Sequence, residues 1–269
     1  MELRHCALQA FSLCDPADKV AAVQQLGARQ HTLGVDCQRP VAWPERPGRP
    51  AVPVLIEPKD VPRRSPFTAD GHAALMHSIA HIEFNAINLA LDAIWRFDNM
   101  PEAYYRDWMR VALEESQHFH ALQMHLQRNG YVYGSFPAHD GLWTMCDNTR
   151  HDVVARMALV PRTLEARGLD ATPLIQAKLR KVGTPQALEA CEILDTILRE
   201  EVGHVAIGNQ WFHWLCQRDG LEPAAFYAQA ALRHAAPHPK PPFNLQARKL
   251  AGFTDAELVA LQARGLAHV

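Results

Sequence analysis

The chain has 269 residues, 48% of them hydrophobic and 21% charged, with a net charge of −2. That is enough for one large domain or two small ones with a substantial core. Near-balanced charge excludes a strong basic field for nucleic acid and an acidic disordered tail, and no run of 18 apolar residues is present to span a membrane.

The six cysteines, Cys6, Cys14, Cys37, Cys146, Cys191 and Cys216, form no Cys-x-x-Cys pair. Several lie in apolar helical runs and read as small core residues, the chain is expected to be reduced and cytoplasmic, and Met1-Glu2-Leu3-Arg4-His5 lacks a signal-peptide core. Residues 2–30 predict one or two short helices, broken at Asp15-Pro16, where Asp15 is an N-cap and Pro16 a first-turn proline. Eight prolines between Pro40 and Pro66 exclude regular helix there. This segment is expected to be an extended arm on the core, anchored by Trp43, Val52, Val54, Leu55 and Ile56.

A long helix is predicted from Ala69 to Phe97, with Met76, Ile79, Ile87, Ala90 and Ile94 on one stripe. Glu83 falls on that stripe, where a carboxylate is costly unless it is paired or bound to metal. The next helix runs from Pro101 to Asn129-Gly130, a stop signal. Its stripe is Trp108, Val111, Ala112, Phe119, Leu122 and Leu126, and Glu115 and His118 lie on it. Glu114 falls at the edge. Residues 130–147 predict an ordered crossover long enough to run back along a bundle.

The third helix is expected from Thr149 to Ala166, ending at Gly168, with Val154, Met157, Ala158 and Pro161 on its stripe and Glu165 continuing it. Pro161 should kink it one turn before Glu165. A short separate helix is expected at 171–182. The fourth helix starts at Thr184-Pro185 and reaches Arg218. Its stripe is Cys191, Leu194, Ile197, Leu198, Val205, Gly208, Trp211 and Leu215, and Glu201 and His204 lie on it. A helix over 222–235 and another near 254–264 complete the chain.

Two stretches share one pattern: Glu114-Glu115-Ser116-Gln117-His118 and Glu200-Glu201-Val202-Gly203-His204. A Glu and a His three apart lie on one helix face. Fourteen Glu and 15 His give about 0.8 Glu-x-x-His pairs by chance, so one copy carries nothing, and Glu2-Leu3-Arg4-His5 is taken as that chance match. The retained two sit mid-helix on apolar stripes, and the other two long helices each carry one stripe Glu. The order Glu, Glu-x-x-His, Glu, Glu-x-x-His is that of a four-helix bundle holding two metal ions.

The chain therefore resembles the ferritin-like di-iron carboxylate superfamily over about residues 67–220. Val160-Pro161-Arg162-Thr163-Leu164-Glu165-Ala166-Arg167-Gly168 and His139-Asp140-Gly141-Leu142-Trp143 make it similar, more narrowly, to the bacterial family called domain of unknown function 455, distantly like tRNA-hydroxylating di-iron enzymes. The resemblance implies an all-α, ferritin-like four-helix bundle with one long crossover at 67–220. N-terminal helices and the arm at 1–66 would pack on it, and a helical extension at 221–269 would follow. It implies metal ligands Glu83, Glu115, His118, Glu165, Glu201 and His204 around two Fe ions, with Mn as an alternative.

The expected activity is a di-iron oxidoreductase using O₂ or peroxide on an unknown substrate, with an unknown electron donor. Its rival is an iron-oxidising protein without organic substrate. No catalytic side chain beyond the metal centre is assigned, no membrane or nucleic-acid partner is expected, and a homodimer is compatible. Asp92, Asp195 and Asn88 are candidate acceptors for the ligand imidazoles. Gly203 and Gly208 are expected to allow close helix packing, and Tyr104, Tyr105 and Trp108 to be aromatic core. His77, His81, His120 and His125 are read as surface or core histidines.

Overall fold

The computed structural model describes residues 2–41 and 46–266. The chain is all-α: among the described residues, β-structure is limited to the isolated bridges Glu2–Gly34 and Leu55–Ala138. The helices are α1 (Leu3–Ser12), α2 (Pro16–Arg29), α3 (Ala69–Arg96), α4 (Glu102–Arg128), α5 (Gly141–Asn148), α6 (Val153–Leu159), α7 (Ala166–Val182), α8 (Pro185–Asp219), α9 (Pro223–Arg233), α10 (Leu245–Leu250) and α11 (Asp255–Leu266). A π-helical turn, Val160–Glu165, joins α6 to α7. Two compact units result, one of residues 1–143 and 184–193, the other of 144–183 and 194–269, so α8 contributes to both.

In the first unit α3 and α4 pack against each other, with α1 on α3 and α2 on α4. Local signals set the ends as the sequence predicts. Asp15 Oδ1 accepts from the Ala17 and Asp18 amides above Pro16. Thr68 Oγ1 accepts from Gly71 N at the start of α3. At the end of α4, Gly130 takes φ +82°, Gly130 N donates to Gln127 O and Tyr131 N to Leu126 O. These are the paired bonds of a Schellman stop. Arg4, fully buried, donates to Ile94 O and Trp95 O, carbonyls that the last turn of α3 leaves without helical partners.

The arm is extended as expected, but its anchors are polar. Val52, Val54 and Leu55 are exposed, Ile56 is only half-buried, and Trp43 lies outside the described residues. The proline-rich backbone has carbonyls without helical partners, and these, with a few side chains, hold the arm. Lys19 Nζ donates to Gly48 O (2.9 Å), Phe11 O (3.0 Å) and Asn88 Oδ1. Arg49 pairs with Asp140 (2.7 Å) and donates to Asn85 Oδ1. Ile56 N and Ala138 N exchange bonds with Ala138 O and Val54 O. Burial pushes the Lys19 ammonium down to about 7, against an ordinary value of 10.5.

The second unit departs from expectation in three places. The end of the crossover expected over 130–147 is helical, because α5 occupies Gly141–Asn148. The third helix does not stop at Gly168 but runs as α7 to Val182, so 171–182 is its continuation rather than a separate helix. Gly168 has room and no left-handed backbone, whereas Gly183 adopts φ +69° and ends the helix. Finally, Pro161 produces a π turn, not a simple kink. It has no N–H to give. The turn widens, Ala166 N reaches back to Pro161 O, and Thr163 Oγ1 donates to Ala158 O (2.8 Å).

The C-terminal helices lock onto this turn and onto α8. Ala247, Ala251, Phe253 and Leu258 share a buried cluster with Ala166, Leu169 and Val205. Arg248 pairs with Asp170 (2.6 Å), Arg162 with Glu257, and Asn209 donates to Ala251 O (2.6 Å).

Gly208 of α8 meets Pro161. A Cβ there would lie 2.5 Å from Pro161 Cβ, whereas one at Gly203 would meet nothing within 4 Å. Of these two, Gly208 is therefore the close-packing glycine. Gly208→Ala is expected to lower thermal stability by about 1–3 kcal/mol, because a proline ring cannot swing aside. Gly203→Ala should be neutral or stabilising by up to about 1 kcal/mol, the helix-propensity gain. Paired melting curves check this, and equal effects would refute the Gly208–Pro161 seat.

Candidate metal centre

In the first unit, α3 presents Glu83 and α4 presents Glu115 and His118, all at most 4% exposed. One turn separates Glu115 from His118, so both reach the same side of α4. His118 Nδ1 lies 3.2 Å from Glu83 Oε2 and 3.2 Å from Glu115 Oε2. One ligand atom from each of the three falls within 4.8 Å of the others, so this buried Glu and His group could hold a metal ion. Glu114 is only half-buried, which matches the helical phase read from the stripe.

Burial, then the neighbouring Glu115 carboxylate, pushes Glu83 up to about 8. Burial opposes charge on His118, but hydrogen bonding to Glu115 and Glu83 outweighs it and raises the imidazole to about 11. At neutral pH the metal-free cluster thus keeps protons on both groups. Two buried carboxylates beside an imidazole are a donor set that a divalent metal fits, with the metal replacing those protons.

In the second unit, Glu201 and His204 lie one turn apart on α8, and His204 Nδ1 is 3.4 Å from Glu201 Oε1. Both are buried, His204 completely. Glu165 is the last residue of the π turn and is also buried. All six residues picked out from the stripes are therefore inside the protein. The sequence does not disclose the π turn that carries Glu165, although its cause, Pro161 four residues earlier, is visible there.

Two of the three expected imidazole acceptors have other work. Asn88 accepts from Lys19 and donates to Phe84 O, and exposed Asp195 accepts from Gln176. The third, Asp92, chelates Arg96 at 2.6 to 3.0 Å, a charge pairing between residues four apart on one helix. Tyr104, Tyr105 and Trp108 are core, as expected, with Tyr105 donating to Phe97 O. His81 is a core histidine, engaged by Tyr133 Oη and Asn85.

No solved structure matches the chain. A protein of Haemophilus influenzae (strain ATCC 51907 / DSM 11121 / KW20 / Rd), described as an uncharacterized protein, is 50% identical over 216 residues, 78% of this chain and 74% of that one. Among the described residues no helix is long and apolar enough to cross a membrane. The model of one family matches residues 12–259, and the chain accordingly belongs to that family, described as Protein of unknown function (DUF455).

Proposed function

We propose that the chain is a ferritin-like di-metal carboxylate protein, an oxidoreductase that uses O₂ or peroxide. Glu83, Glu115, His118, Glu165, Glu201 and His204 act as one ligand set for two iron ions, or for iron and manganese. The observation that carries the reading is the pair of buried Glu-x-x-His turns, each in a unit that also buries a single Glu on another segment. Four carboxylates and two imidazoles form a hard-to-borderline set suited to Fe or Mn rather than a thiolate site.

When bound, the iron pair supplies a redox centre that exchanges electrons with a donor and an oxidant. The chain's own residues position and insulate that centre. Glu115 and Glu83 orient the His118 ring through Nδ1. Phe84 and Phe119, each next in sequence to a ligand, pack at 5.3 Å between centroids and join Tyr133 in an aromatic wall that excludes water. The π turn, held by Arg162–Glu257 and seated on Gly208, fixes the backbone of Glu165.

A stepwise Fe(II) titration in air separates this reading from iron storage. Oxidation is expected to stop near two Fe(II) per chain, because the ligands retain the product until a donor reduces it. Absorbance and particle size follow the titration. Continued oxidation through tens of equivalents, with a growing soluble iron core, would overturn the oxidoreductase reading in favour of iron handling.

A further inference from the structure

Glu165 stands between two buried arginines that the C-terminal helices hold. Arg162, three residues before it, donates to Asn209 Oδ1 (3.2 Å) and His213 Nε2 (3.3 Å) on α8 and pairs with Glu257 of α11. Its guanidinium lies over the rings of Phe212 (4.8 Å), Phe253 (4.9 Å) and Tyr227 (5.7 Å). Arg248 of α10 donates to Ala166 O (3.2 Å), the carbonyl next after Glu165, and pairs with both oxygens of Asp170 (3.0 and 2.6 Å). Its guanidinium also covers Phe253, at 5.3 Å, so one ring between α10 and α11 serves both arginines.

Three consecutive side chains of the π turn are seated in this way. Pro161 lies against Gly208, Arg162 fills the aromatic cage, and Thr163 Oγ1 donates to Ala158 O (2.8 Å) beside the Tyr227 hydroxyl (3.1 Å). The wide turn needs them. Pro161 removes its own N–H and crowds the carbonyl four residues back, but it leaves the following bonds open. Ala166 N could reach Arg162 O in an ordinary α turn, yet it reaches Pro161 O. A free helix overwhelmingly takes the α choice, and single π turns persist where the surroundings dictate them. Tightening the turn by one residue would rotate the chain after it by about 100° relative to the chain before it. The grip on Arg162 before Glu165 and the grip on Ala166 after it cannot both survive that rotation.

We propose that α10 and α11 are a register clamp on Glu165, with Arg162 as the positioning residue through which they act. Engaged, the clamp keeps the wide turn and the direction of the Glu165 side chain. Released, the turn closes to the α register and takes Glu165 about 100° around the helix axis. The inference rests on the reading of Glu165 as a metal ligand. It gives the C-terminal extension control of metal occupancy, because helices that carry none of the six proposed ligands decide whether this one is in place.

The test measures Co(II) affinity and absorption in the full, tag-free, metal-stripped chain and in Glu165→Ala, Arg162→Ala and the two combined. Glu165→Ala is expected to weaken Co(II) binding about a hundredfold, and Arg162→Ala about 10–100-fold, as loss of an outer partner of a ligand does. Because Arg162 acts through Glu165, the combined variant should bind no worse than Glu165→Ala alone. For the same reason the Co(II) spectrum of Arg162→Ala should match that of Glu165→Ala. An arginine with a merely structural role would multiply the two losses and leave the native spectral shape, and either result overturns the clamp. Circular dichroism checks each variant for folding. Should Arg162→Ala not fold, Thr163→Val, which keeps the shape and loses the hydroxyl, takes its place in the same comparison. Undiminished Co(II) binding by Glu165→Ala would overturn the ligand reading and the clamp together. A hundredfold loss there, with multiplied losses in the combined variant, overturns the clamp alone.

Discussion

Glu115→Ala is expected to weaken metal binding about a hundredfold or more, and Glu114→Ala to leave it nearly unchanged. Glu115 is fully buried, and its Oε2 lies 3.2 Å from the nitrogen it would share a metal with. Glu114, next in the chain, is turned about 100° around α4 and is half-buried. The same contrast is expected of buried Glu201 against half-buried Glu200, which pairs with Arg199 at the surface. Elemental analysis after anaerobic Fe(II) loading measures it. The native chain should hold two equivalents, and the Glu115 and Glu201 variants one or none. Equal losses across each Glu-Glu pair would refute the phase argument and, with it, the ligand set.

That contrast is legible in the amino-acid order because it rests only on helical phase. Glu83, Glu115, Glu201 and His204 interrupt apolar stripes, and each is buried. Helix ends carried by a side-chain cap or a left-handed glycine are equally legible, as at Asp15, Thr68, Thr184 and Gly130. Features set by tertiary context are not. Gly168 has the composition of a stop, yet Leu169 behind it packs with Val205 and the C-terminal residues Ala247 and Ala251, and that burial keeps the helix going to Gly183. Val52, Val54 and Leu55 have the character of anchors, yet Lys19 and Arg49 hold the arm through its carbonyls and through Asp140. A buried lysine that serves backbone carbonyls has no periodic signature. The hydrogen bond between His72 and His125 is hidden for the same reason: each residue is one histidine among 15, and only the antiparallel return of α4 beside α3 brings them together.

Metal affinity is expected to climb steeply with pH, by about one to two orders of magnitude per pH unit between pH 6 and 8. The metal-free cluster holds a proton on Glu83, whose value stands at about 8, and one on His118, at about 11. A metal needs the carboxylate and the neutral imidazole, so both protons must leave. Above pH 8 Glu83 is already ionised and only the His118 proton remains to be displaced, so the slope should fall toward one. Folding follows the same linkage with the opposite sign. Both groups sit above their ordinary values of 4.5 and 6.5. The metal-free fold therefore draws stability from Glu83 below about pH 4.5 and loses it as pH rises toward 8. It draws stability from His118 below about 6.5 and loses it toward 11. Lys19, depressed to about 7, works in reverse, costing stability at low pH and releasing that cost as pH rises from about 7 toward 10.5. Because Lys19 is no ligand, it cancels in the difference between loaded and metal-free melting temperatures. That difference should widen from pH 6 to 8. Chelator competition across this range gives the affinity, and an indicator in weak buffer counts the protons released. Glu83→Gln should remove one proton from that count at pH 7. An affinity flat with pH, or metal uptake without proton release, would show that the buried Glu83–Glu115–His118 group is not where the metal binds.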